Sequence, residues 1–122
     1  SWSCAAAGVG PLAFVSNQGD DTVSVVALEN GQTRAKVPVP EDPVGVAIDA
    51  RRRLVFVTST KGRRLSSIDM DTLKVSQQVE AGISPLGVVA DSRAGRVYVA
   101  DWDGNVVRVF DAITLAPRGE YK

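Results

Sequence analysis

Short apolar runs recur along the chain, parted by clusters of Gly, Asp, Asn and Pro. One set of four reads VGVAID (44–49), LVFVT (54–58), LSSID (65–69) and VSQQVE (75–80). The spacing and the Val, Ile and Phe content predict strands, and no helical period of useful length is present. The first two runs are nearly continuous in apolar residues, as in strands covered on both faces. VSQQVE alternates and is polar, which suits an outer strand with one edge in water. The pattern predicts an all-β chain built from four-strand units.

These units repeat. Phe14, Phe56 and Tyr98 stand at equal intervals of 42 residues, inside AFVSN, VFVTS and VYVAD. DPVGVAIDARRR (42–53) aligns with SPLGVVADSRAG (84–95), and DTVSVVA, RRLSSID and NVVRVFD share one phase. No gap is needed from residue 13 to the end of the sequence. A period of this length suits a four-stranded β-propeller blade. The expected architecture is about three antiparallel blades over residues 12–122, with boundaries near 43 and 85. Residues 1–11 read either as a leader or signal-peptide remnant, from the small apolar stretch Ser3–Gly8, or as a first-strand segment. About eleven strands are counted, one inner strand short of three blades, with Cys4–Gly10 a weak candidate for it. Gly45 and Gly87 fall in the innermost strands, where a missing side chain lets backbones crowd near the axis. Three blades are too few for a ring, so the ring is incomplete unless extended by more blades or by other copies.

Composition narrows the chemistry. The 122 residues hold 14 basic and 14 acidic side chains, so the zero net charge gives no reason to expect a nucleic-acid partner. No apolar run approaches a membrane span. The single cysteine, Cys4, rules out an internal disulfide and any multi-cysteine metal or haem motif within this chain. There is no histidine, which removes the Ser-His-Asp arrangement, the HExxH site and any histidine general base. No catalytic, cofactor-binding or metal-ligating set is expected, and the reading leans away from an enzyme.

The phrases VFVTS and VYVAD, each followed by a turn, then VVRVFDAITL, and a P-x-G-V-A step resemble the YVTN family of β-propeller repeats. AFVSNQGDDTVSVVA resembles it most, and the likeness runs from residue 12 onward. The resemblance implies bacterial surface-layer or periplasmic propellers, including those accompanying quinone-dependent dehydrogenases. Similar blades occur in the heavy subunit of methylamine dehydrogenase and in nitrous oxide reductase. The latter binds copper through histidines, which this chain lacks.

The topology implied by the resemblance puts 17–22, 59–64, 101–105 and the connections around 40–43 and 82–85 on one face. Arg51–Arg53 lie on the other, so they form no single patch with Arg63 and Arg64; both groups read as solvated turn charges. Asp101-Trp102-Asp103-Gly104-Asn105 echoes a calcium loop, but Val106 stands where the sixth-position glycine belongs and no glutamate stands at the twelfth position. Asp49 and Asp91 repeat by scaffold and do not converge on one substrate. Trp102 falls where the other copies have Gln18 and Thr60, so the scaffold does not require it. Asp101, Trp102 and Asp103, with Lys61, Arg63 and Arg64, are therefore the candidate partner or ligand contacts. The expected function is a non-catalytic secreted or periplasmic scaffold for protein or ligand binding. Two alternatives are the propeller part of a quinone- or haem-dependent oxidoreductase complex and a self-assembling cell-surface module. The expected partners are a protein or further blades.

Overall fold

The computed structural model describes residues 2–6 and 10–122, the first group as backbone only. Twelve strands and no helix are present among them. They form three four-stranded antiparallel sheets in chain order. The first blade is β1 (Trp2–Ala6), β2 (Pro11–Asn17), β3 (Thr22–Ala27) and β4 (Gln32–Pro38). The second is β5 (Pro43–Asp49), β6 (Leu54–Ser59), β7 (Arg64–Asp69) and β8 (Lys74–Glu80). The third is β9 (Pro85–Asp91), β10 (Arg96–Asp101), β11 (Val106–Asp111) and β12 (Pro117–Tyr121). The count differs from the eleven expected because Trp2–Ala6 pairs with Pro11–Val15 as an inner strand. That segment pairs two residues out of the register of β5 and β9: Ala5 faces Leu12, whereas Asp49 faces the corresponding Leu54. It begins earlier than the expected Cys4–Gly10, whose residues 7–9 lie outside the described residues.

The blades stack face to face, each against the next. Alternation along the strands gives every blade two apolar faces, here called front (toward the following blade) and rear. Front residues Phe14, Val23 and Val25 meet rear residues Val55, Val57 and Ile68 of the second blade. Its own front residues, Phe56 and Leu65, meet Val97, Val99 and Phe110 of the third. Each such side chain contributes about 1.5–3 kcal/mol when buried. A bulge in every outer strand lets one strand serve both layers. The register of β7 against β8 slips between Ser67 and Ile68. Val75 therefore joins the first cluster while Val79 joins the second. The same slip recurs at Val25/Val26 and Val109/Phe110.

The turns repeat as faithfully. Asp21, Arg63 and Asn105 all adopt left-handed backbone, with φ of 55, 55 and 53 degrees. Antiparallel order brings turns 18–21, 60–63 and 102–105 and connections 39–42 and 81–84 to one end of the molecule. The remaining turns lie at the other. Arg53 and Arg64 thus flank opposite ends of the β6–β7 hairpin, where Leu54 pairs with Asp69 and Ser59 with Arg64.

Candidate functional site

At the turn-bearing end, the residue closing each second strand faces the same partner position on the third strand. In the first blade Asn17 Nδ2 donates to Ser24 Oγ at 2.7 Å. In the second, Ser59 and Ser66 are buried, and neither hydroxyl finds a partner. In the third the pair becomes Asp101 and Arg108, joined at 3.1 Å.

Asp101 was a candidate contact residue, but the structure places it inside. Its side chain is 0% exposed. Oδ2 accepts from the Ile83 N–H (3.1 Å) and Oδ1 from the N–H groups of Ser84 (2.9 Å) and Gly104 (3.0 Å). Burial alone pushes this carboxyl up. The Ser84, Ile83 and Gly104 N–H groups and the Arg108 guanidinium outweigh burial and hold it at about 2. Asp101 is a brace that ties the 81–84 connection to the 102–105 turn. Arg108 and Ser84, its partners, were not singled out in the sequence. The available signal was a lone arginine in the apolar run VVRVFD, in phase with Ser24 and Ser66.

The brace presents its neighbours. Trp102 is anchored by its backbone, its N–H donating to Ser84 O at 3.0 Å, and its side chain is 76% exposed. Asp103 is exposed and accepts from Ser84 Oγ at 2.6 Å. Lys61 and Arg63 are exposed on the corresponding turn of the second blade. Arg64 is half-buried and faces Glu80 at 3.6 Å. The six candidates thus belong to two turns at one end of the molecule, on adjacent blades, rather than to one cluster. Trp102 also borders a shelf formed by Ala100, Val107 and Tyr121 on the front of the third blade. A cleft of about 540 Å³ opens between β8 and β11–β12, lined by Val79, Gly82, Phe110 and Pro117, with Arg108 and Glu120 ion-paired at 2.9 Å.

The opposite end carries a different latch. Asp49 is buried and accepts from Arg52 Nη1 (3.0 Å) and, across the joint, from Ser92 Oγ (2.9 Å). Burial would raise its carboxyl, but the Arg52 N–H, the Ser92 hydroxyl and the Arg52 guanidinium lower it. Asp91 instead caps its own turn, accepting from the Ala94 N–H at 3.1 Å. No group of three or more metal-ligating side chains forms among the described residues.

No protein-family model matches the chain, and no curated protein does. Solved structures do match. Hydrazine synthase of Kuenenia stuttgartiensis is 21% identical with a TM-score of 0.84, covering 91% of this chain and 32% of that one. The dihydro-heme d1 dehydrogenase NirN, in complex with DHE, is 22% identical with a TM-score of 0.80, covering 90% and 24%. Apo AztD of Citrobacter koseri is 20% identical with a TM-score of 0.76, covering 98% and 34%.

The fold is that of β-propeller blades. The propeller segment spans about a third or less of the solved chains it matches. Likeness at this identity concerns architecture, which hosts many functions. No helix of the described residues is long and apolar enough to cross a membrane.

Proposed function

We infer that the chain is a non-catalytic, YVTN-like propeller scaffold that binds a protein partner through its turn-bearing end, in the periplasm or at the cell surface. Trp102 carries this reading. It is a large aromatic held out into solvent by a backbone that the buried Asp101, paired with the part-exposed Arg108, fixes. Aromatic anchors on a rigid scaffold are the usual centres of binding energy. The turns are also where the three repeats differ most, with Gln18, Thr60 and Trp102 in one position. Asp103 beside it, and Lys61 and Arg63 on the corresponding turn of the second blade, would supply polar contacts at the same end.

Affinity purification with wild-type and Trp102→Ala chains tests it. The expected result is a stoichiometric protein retained by the wild type and lost from the variant, with equal melting temperatures. Equal retention by both would overturn the reading. A second reading, the propeller part of a quinone- or haem-dependent oxidoreductase complex, draws on two matched structures being named as enzymes, a synthase and a dehydrogenase. A co-purifying subunit with visible absorbance would favour it.

A further inference from the structure

The two internal joints can be compared position by position at their outer rim, where β4 meets the second blade and β8 meets the third. At the first joint Val37 is buried, and Val75 packs against the same cluster. At the second joint Val79 is only half-buried, and the cleft of about 540 Å³ opens beside it. Several positions depart from the repeat here. Gly82 stands for Pro40, Arg108 for Ser66, Pro117 for Val75, Gly119 for Gln77 and Glu120 for Gln78. A Cβ at Gly82 would collide with Asp101 Oδ2 and Arg108 Nε, so this glycine makes room for the guanidinium. Gly119 has nothing within 4 Å of where a Cβ would stand. Both walls are described strands of the second and third blades, so the opening does not depend on either end face.

The cleft joins an apolar lining to a polar pair. Val79, Phe110 and Pro117 form the lining, and the volume falls in the range of ligand-sized sites. Arg108 and Glu120, both part-exposed, ion-pair at 2.9 Å. An arginine carries five N–H donors. Asp101 Oδ2 takes two of those on Arg108 and Glu120 Oε2 takes one, which leaves two donors without a carboxylate. Glu120 Oε1 accepts nothing among the described residues. A spare donor beside a spare acceptor matches a peptide unit, which offers one C=O and one N–H. Charge adds a preference. Asp101 and Glu120 outnumber Arg108 by one, while the Glu80 carboxylate at the rim is answered by Arg64. A cation on the occupant completes the balance.

We propose that this cleft binds an extended segment of a partner protein. The segment places an apolar side chain against Val79, Phe110 and Pro117, and a Lys or Arg two positions away beside Glu120. Residues i and i+2 of an extended chain point to one side, which turns both toward the cleft. The spare groups of Arg108 and Glu120 then hold the backbone between them. The site uses none of the Trp102 turn, so it stands or falls separately from the turn-end reading.

A peptide array probed with the full chain tests it. The hexapeptides keep a Gly-Ser frame and vary the third and fifth positions through every residue type. The chain should be retained by peptides that combine Leu, Ile, Val, Met or Phe with Lys or Arg, in either order. Peptides with Asp or Glu in place of the basic residue should not retain it. The best peptide, fluorescein-labelled, is then titrated by polarisation. Glu120→Gln restores the residue of the second blade and should weaken binding about fivefold, the worth of one part-exposed ion pair. Pro117→Arg puts a like charge on the exposed rim and should weaken it about tenfold or more. Trp102→Ala should leave it unchanged. Amide NMR of the wild type locates the peptide without any substitution, with shifts expected at Val79, Gly82, Gly119 and Glu120. Absence of the apolar–basic pattern above the bare frame overturns the proposal. So does a preference for acidic peptides, wild-type binding by either cleft variant, or shifts confined to the 102–105 turn.

Discussion

Asp101 was expected at an exposed contact loop, and its carboxylate is buried. Its sequence context, a turn of Asp, Trp, Asp, Gly and Asn, looks like an exposed ligand loop. The pairing of β10 with β11 and the 81–84 connection turn its carboxylate inward instead. Asp101→Asn removes the charge that Arg108 answers; Arg108 is part-exposed and keeps Glu120, so the cost should be about 2 kcal/mol, read by urea denaturation. The pH dependence follows from the lowered carboxyls. Asp101 and Asp111 sit at about 2 against an ordinary 3.8. For Asp111 the Thr114 N–H leads, burial opposes, and the Ile113 N–H, the Thr114 hydroxyl and Arg118 assist. Their stabilisation is complete above the ordinary value and disappears as pH falls through the folded one. Melting temperature should hold level from neutrality to about pH 5 and drop between about pH 4 and 2, with Asp101 contributing about 2 kcal/mol of that change. Arg63 is a simpler case. It holds a left-handed backbone where the third blade uses Asn105, a residue that tolerates it. Arg63→Asn should stabilise by about 0.5 kcal/mol in thermal unfolding.

Among elements, the four strands of the second blade were legible within one residue at each end, since alternation and turn residues are local signals. The outer-strand bulge was not legible. VSQQVE reads as simple alternation, yet the slip at Ser76 sends Val75 and Val79 to opposite layers. Only the partner strand reveals that. The innermost glycines were read as room for crowding backbones, and the structure divides them. Gly45→Ala meets Leu86 O and Thr58 Oγ1 and should destabilise by about 2 kcal/mol or more, as overpacking does. Gly87→Ala meets ordinary contact distance and should leave unfolding of the single chain unchanged. Comparing the two alanine variants by chemical denaturation checks both expectations.

At the scale of the molecule, the gapless period made the blade architecture readable, because each copy must bury the same positions against its neighbours. The end faces and the Asp49–Arg52–Ser92 latch were not readable, since both depend on which blade stands beside which. Among the described residues the second blade packs on both faces, so its amides should open last. Hydrogen exchange should find β6 and β7 the most protected strands and β4 and β12 the least, a gradient expected of stacked repeats. The invariant 42-residue phase has one more consequence. The front of the first blade and the front of the second present corresponding groups, Phe14 with Val23 and Phe56 with Leu65. Residues 43–84 therefore behave as a removable cassette. A gene shortened by that segment, or carrying it twice, would still encode apolar faces that match at their main positions, so unequal crossing-over can change blade number while keeping the core of each joint, although the shortened form loses the Asp49–Arg52–Ser92 latch and the Ile83 and Ser84 partners of Asp101.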